Sequence, residues 1–229
     1  MSQQKVIMKI RFTIILFWIF KLVHASDPVP ANTLNTAANA GYLSSMEKEI
    51  IFEINLFRSD PAQYAEKYIA PLASAYNKKI LSYPGDIPIK TVEGVSALNE
   101  CVRELKKLKP LPLVYPNEKL TLAANDHSAD QSCTGNTGHV GSDNSNLRAR
   151  IERYGTWEKQ IAENIAYGNT SARQVVIFLL IDDNVRSRGH RKTFLNSELK
   201  LAGISCNKHP EYKTMCVMDF AGGMKAKTN

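Results

Sequence analysis

The stretch VVIFLLI, residues 175–181, is seven consecutive apolar residues. Ser171 stands three positions before Gln174, a pairing that opens a helix by satisfying its first free N–H groups, so the run lies on a helix. A helix apolar all round has no face to give to water and is covered on most sides. The rest of the chain therefore has to supply layers around it.

Other elements read directly. Ser44 and Glu47 form a second capping pattern, followed by Ile50, Ile54 and Phe57 at helical spacing. Asp60 as cap with Pro61 in the first turn starts another helix. Val95, Leu98, Val102 and Leu105 mark a third, and Asn117 caps a fourth running to about Gln131, with Leu120, Ala124 and His127 on one face. LKLAGISC and KTMCVMDFAG read as two antiparallel strands joined by a turn. Residues 26–45 are small and polar, a flexible leader, and 223–229 form a tail. SYPGDIPIK falls in a long loop or inserted lobe over 77–94, and residues 134–170 read as irregular, the usual sign of a functional loop region. The order of helices, loop, helix and hairpin predicts an α+β domain over 46–222, with helices covering a small antiparallel sheet.

Residues 1–25 stand apart. A basic start, the apolar FTIILFWIF and Val23-x-Ala25 before Ser26 have the layout of a secretory signal peptide. The alternative, a retained membrane anchor, is opposed by an apolar run of about half the roughly 20 residues a span needs, interrupted by Lys21. Lys5, Lys9, Arg11 and Lys21 leave with this segment and no acid does, so 29 basic residues become 25 against 22 acidic, a net charge of +3. That balance makes no case for nucleic-acid binding. No later stretch is long enough to cross a bilayer. An even set of cysteines in an exported chain favours two disulfides: Cys206 with Cys216 across a hairpin, leaving Cys101 with Cys133. Free buried thiols are the alternative. Asn169 opens an Asn-Thr-Ser triplet, a glycosylation site if its loop faces solvent.

Three features carry chemistry. Glu163 sits in AENIAYG among apolar neighbours that would bury it, and a buried carboxylate needs a partner or a proton; as an exposed acid it would need neither. Asp182 and Asp183 end the apolar helix, where negative charge opposes the helix dipole; Arg186 and Arg188 are close enough to compensate, or one Asp faces the same cavity as Glu163. Of the histidines beyond residue 25, His127 reads as packed on its helix face and His209 as exposed in the hairpin turn. His139 and His190 each follow a glycine, which lets the backbone turn and present the ring. Two imidazoles and one or two carboxylates could hold a divalent cation such as Zn²⁺, or form a neutral hydrogen-bonded cluster.

TGHVGSDNSN, AENIAYG, GHRKTFLN and AGISC…MCVMDFAGG, in this order, closely resemble the CAP superfamily, the group of cysteine-rich secretory proteins, insect antigen 5 and plant pathogenesis-related proteins. The pattern is that of the branch found in bacteria and protists, where GHR replaces the aromatic-rich motif of animal members. The resemblance implies an α-β-α sandwich whose central cleft holds two His and two acids. Position by position these are His139, Glu163, His190 and, on the helix before GHR, Asp182 with Asp183 as the alternative, where the family has Glu. It implies a secreted, extracellular protein that binds a sterol, a fatty acid or an extracellular protein. One alternative is a metal-dependent hydrolase with Glu163 as general base. Another is a non-catalytic defence or surface protein. No activated serine or cysteine nucleophile is visible.

Overall fold

The structure, a computed structural model, describes residues 30–227. The expected signal peptide, 1–25, lies outside them. Helices α1 (Ala31–Leu34), α2 (Ser45–Ser59), α3 (Pro61–Tyr64), α4 (Val95–Leu105), α5 (Glu118–Thr134), α6 (Leu147–Tyr154), α7 (Ala172–Ile181) and α8 (Gly189–Leu195) surround two sheets. After α3 the chain stays helical to Ala75 through a wide π turn and a 3₁₀ turn. No helix of the described residues is long and apolar enough to cross a membrane.

The main sheet has the order β4-β6-β7-β5, from β4 (Tyr115–Pro116), β5 (Thr156–Tyr167), β6 (Leu201–His209) and β7 (Lys213–Lys225). All its pairs are antiparallel except the two-residue β4–β6 contact. Successive strand residues point to opposite faces, and the cores follow that alternation. Ala202, Ile204, Met218, Phe220 and Ala166 join the larger core with α2, α4 and α7. Leu201, Val217, Ala221, Ile161 and Ile165 pack on the opposite face, against α5 and α6. The expected sandwich of helices, small sheet and helices is thus present. The apolar run of α7 lies inside the larger core and is buried along nearly its whole length.

Local expectations are met at the caps. Ser44 N–H donates to Glu47 Oε2 at 2.7 Å, and Glu47 Oε1 accepts from Cys206 N–H, so one side chain caps α2 and ties it to β6. Asp60, Asn117 and Ser171 each accept from the third residue into their helices.

Several expectations are corrected. The leader is packed over its described residues: Leu34, Ala37, Ala40 and Leu43 are buried, and the buried Asn55 side chain donates to Leu34 O and Val114 O while accepting from Val114 N–H. Its small residues fit against α2, which composition alone reads as flexibility. The tail does not begin at 223, because β7 continues to Lys225 in register with Thr156. Residues 134–170 hold helix α6 and the twelve-residue edge strand β5. An edge strand with polar partners on both faces lacks simple apolar alternation, and a bulge between Glu158 and Ile161 breaks it further. GHRKTFL is helix α8. Cys206 and Cys216 form the expected cross-strand disulfide, but Cys101 is a buried free thiol and Cys133 an exposed one. Burial pushes the Cys101 thiol up to about 12, so it stays protonated. His209 is buried: its Nε2 meets Asn136 O, and its Nδ1 accepts from Glu211 and Tyr212 N–H, closing the hairpin turn.

The inserted segment folds as a three-stranded antiparallel lobe, β1 (Tyr76–Asn77), β2 (Ile80–Leu81) and β3 (Ile89–Lys90). Gly203 lets α5 lie directly on β6. A Cβ there would meet Leu120 C and Thr121 N at 2.1 Å, both backbone atoms with no room to move. Overpacking typically costs about 1–3 kcal/mol, and more against backbone. Gly203→Ala is expected to lower the thermal midpoint by well over ~5 °C or to prevent soluble expression; a midpoint within about a degree of the parent would refute this packing.

Candidate functional site

Glu163 lies on edge strand β5, on the face covered by α5 and α6. Its side chain is 2 % exposed, and both oxygens are taken. Oε1 accepts from His139 Nδ1 at 2.8 Å and Oε2 from Arg150 Nη2 at 2.7 Å. Because a carboxylate only accepts, the His139 ring carries its hydrogen on Nδ1. Burial pushes the Glu163 carboxyl up, but the His139 hydrogen bond and the Arg150 charge outweigh it and leave it below its ordinary range.

Arg150, from α6, is itself buried and also donates to His139 O and Ser145 O, fixing both ends of the loop that carries His139. That loop is held at its base too. Gly138, at φ +98°, donates its N–H to Tyr167 Oη, and Tyr167 in turn donates to Gln131 Oε1. His127 Nε2 lies 2.8 Å from Gly138 O, so this histidine is packed and hydrogen-bonded as its helix position predicted. His139 itself is 54 % exposed, with Nε2 as its remaining ring nitrogen.

Directly across the β5–β7 pair from Glu163 stands Asp219, fully buried. Neither of its oxygens has a hydrogen-bond partner among the described residues. Burial first, then the Glu163 charge, push its carboxyl well above the usual carboxylate range, which favours the neutral form. Sequence reading missed both Arg150 and Asp219. Arg150 is hidden by the unrecognised helix α6. Asp219 did leave a signal, an acid at an inward position of the apolar strand CVMDFAG.

The second His–acid pair approaches β5 from the other face. Asn164, one residue after Glu163, points to the α7–α8 side and donates to His190 O. His190 Nδ1 donates to Asp182 Oδ1 at 2.7 Å, and Asp182 Oδ2 accepts from His190 and Arg191 N–H. Asp182 ends α7 in the left-handed conformation (φ +56°), which turns its carboxylate away from the carbonyl end of α7 and onto the first N–H groups of α8. Asp183 makes no hydrogen bond to the pair. It clamps Val92 and Glu93 N–H, anchoring the lobe. Arg188 compensates neither Asp carboxylate: it pairs with Glu93 and Glu100, and with Arg191 it pulls the Glu100 carboxyl down to about 2. Arg186 makes no ion pair among the described residues. The buried Arg191 donates to Leu180 O and Ile181 O, satisfying the free carbonyls of α7.

The four expected ligands therefore form two pairs rather than one cluster. Among the described residues no group of three or more His, Cys, Asp or Glu is spaced to hold an ion. Both oxygens of Glu163 and of Asp182 are spent on donors, so the carboxylates orient imidazoles in the manner of outer-shell partners. The donor set does not fit a four-ligand divalent cation.

Beside the His190 pair lies a cavity of about 260 Å³. Tyr76, Leu81 and Ile89 of the lobe, Phe178, Leu179 and Ile181 of α7, and Ile165 to Tyr167 of β5 form its walls, and His190, Lys90, Thr91 and the hydrogen-bonded Asp182 and Asp183 add polar groups. Asn169 lines it as well and is only 8 % exposed, so this asparagine does not meet the solvent-facing requirement of a glycosylation site.

The CAP profile, described as the cysteine-rich secretory protein family, matches residues 53–220. The chain belongs to the CAP family. Among curated proteins none matches it. Three solved structures similar to parts of this CAP chain come from bacteria. An extracellular SCP-domain protein of Bacillus anthracis is 22 % identical over 48 % of this chain and 34 % of its own, with a TM-score of 0.39. An outer surface protein of Borrelia burgdorferi is 20 % identical over 56 % of this chain and 89 % of its own, with a TM-score of 0.41. A cysteine-rich secretory protein of Staphylococcus aureus is 20 % identical over 56 % and 38 %, with a TM-score of 0.36. This CAP chain spans little more than a third of the length of the first and third.

Arg150 is what makes the burial of Glu163 tolerable. Removing one partner of a buried ion pair costs about 3–5 kcal/mol. Arg150→Met is expected to lose stability on that scale at pH 7 in urea unfolding. A carboxyl held below its ordinary value stabilises the fold above the ordinary carboxylate range and loses that contribution as pH falls through its folded value. The gap between parent and variant should therefore narrow once Glu163 protonates in acid. Equal stabilities at pH 7, or a gap that widens in acid, would contradict the assignment.

Proposed function

We propose that this CAP chain is an exported ligand-binding module that holds a small amphipathic molecule with an acidic head, of the fatty-acid class, in the cavity beside His190. The observation that carries this reading is the cavity itself: walls of aliphatic and aromatic side chains, with two cationic or hydrogen-donating groups at hand. Concave, mostly apolar sites with a few placed polar groups are the usual form of small-molecule sites. Lys90 lines the cavity and makes no ion pair among the described residues. His190 has its Nδ1 fixed by Asp182, which leaves Nε2 for a ligand. A carboxylate would accept from both. A sterol hydroxyl would use one donor and leave the other unpaired.

The hydrolase reading has no comparable support. Glu163, the base it needs, has both oxygens engaged and a side chain closed to solvent.

Isothermal titration with saturated fatty acids of graded length, the matching alcohols and cholesterol tests the proposal. Saturable one-to-one binding is expected for the acids and weaker binding for the alcohols. A hydrogen bond to a charged group contributes about 1.5–3 kcal/mol, so Lys90→Gln and His190→Ala should each weaken the acids about tenfold or more. Absence of saturable binding by every ligand, or equal affinity of acids and alcohols in parent and variants, would overturn it.

A further inference from the structure

The lobe that walls the cavity has a second face. In its register Tyr76, Leu81 and Ile89 stand opposite one another, and these line the cavity. Asn77 and Ile80, of the alternate set, face outward. That outer surface is apolar and basic together. Ile87 is 71 % exposed, at the tip between Pro84 and Pro88, with Val92 at 49 % and Ile80 at 40 %. They make up three of the eight large apolar side chains exposed among the described residues. Lys78 and Lys79 form the β1–β2 turn beside them, both exposed. Among the described residues no ion pair involves Lys78 or Lys79.

The acids of the lobe do not neutralise this face. Asp86 accepts from Ile87 N–H and from Gln174 of α7, and Glu93 pairs with Arg188. Asp183, the nearest acid of α7, is spent on Val92 and Glu93 N–H. The lobe is tied down by its acids and presents its lysines and isoleucines to solvent.

We infer that the outer face of this lobe docks on an anionic lipid bilayer, with Ile87, Val92 and Ile80 entering the interface and Lys78 and Lys79 meeting the headgroups. Neither part suffices alone: a few aliphatic side chains bind a neutral membrane weakly, and stable attachment takes an apolar anchor together with a basic patch. The placement gives the lobe a role that the loop composition conceals. One side closes the cavity, and the other rests on the phase from which an amphipathic ligand would be drawn. The use of docking for loading rests on the ligand reading above; docking itself does not.

The test is co-sedimentation of the full chain with vesicles of phosphatidylcholine alone and of phosphatidylcholine with phosphatidylserine. It is paired with the emission of an Ile87→Trp variant, taken as a difference against the parent. That difference reports the lobe and not the apolar run near the N-terminus, which parent and variant share. Expected are binding enhanced by phosphatidylserine and suppressed by salt, a shift of the difference emission to shorter wavelength on anionic vesicles only, and a loss of about fivefold in affinity per lysine in Lys78→Gln and Lys79→Gln. Far-UV circular dichroism should be unchanged in these exposed-site variants. A difference emission from Ile87→Trp that does not shift, or lysine variants that bind as the parent does, would overturn the inference. So would soluble polyglutamate producing the same shift, which would indicate an acidic protein partner. Fatty-acid titration of the Lys78→Gln and Lys79→Gln variants, in solution without vesicles, should match the parent. Failure of docking therefore leaves the cavity reading standing, and failure of the titrations leaves docking standing.

Discussion

A carboxylate buried in an edge strand is the condition around which this domain is arranged. Taking Glu163 out of water is costly unless its charge is met by opposite charge and hydrogen bonds. Two separate segments meet it, Arg150 from α6 and His139 from the preceding loop, while the buried Asp219 stands opposite on β7. Each of these contacts also fixes the segment that makes it. Arg150 brings α6 down onto the sheet and pins the loop through His139 O and Ser145 O. The carboxylate orients the exposed imidazole through Nδ1. Glu163 acts as the fixed point from which the loop is hung, rather than as a reagent.

The opposite face of β5 uses the same chemistry for another purpose. Asp182 holds His190 by its ring and by its backbone N–H, while Asp183 holds the lobe through Val92 and Glu93. Two adjacent acids at the end of one helix thus place the two polar margins of the cavity relative to each other. Arg191 satisfies the last carbonyls of α7, and Arg188 links Glu93 of the lobe to Glu100 of α4. The cavity is a consequence of these ties: α7 supplies an apolar wall, the lobe closes it, and the His190 ring stands beside it with one nitrogen unspent.

Much of this was legible in the chain. The capped helices, the all-round apolar α7, the β6–β7 hairpin with its disulfide and the family pattern could be read because each rests on local spacing or local cap chemistry. The motif order singled out His139, Glu163, His190 and Asp182, with Asp183 as the alternative, as residues of one cleft and not as two pairs. What escaped was set by contacts distant in sequence. Arg150 meets Glu163 only because α6 folds back over β5, and Asp219 reaches it only through strand register. The small residues of 30–43 look like a linker until α2 is placed beneath them. Cys101 and Cys133 could be paired by counting, yet one is sealed between α4 and the core while the other is exposed at the end of α5. The expected four-ligand cluster did not form because alternation along β5 sends Glu163 and Asn164 to opposite faces, one His–acid pair going with each.

The central claim is that Glu163 is ionised and Asp219 neutral, two facing carboxyl groups beneath His139 that carry a single charge. Carbon-13 NMR of the side-chain carboxyl groups, followed through an acid titration, tests it most directly. The account predicts that at pH 7 the Asp219 carboxyl shows the chemical shift of the protonated form and the Glu163 carboxyl that of the ionised form, with Glu163 titrating below its ordinary range. Two ordinary carboxylates, both ionised at pH 7 and both titrating near the values of exposed side chains, would contradict it.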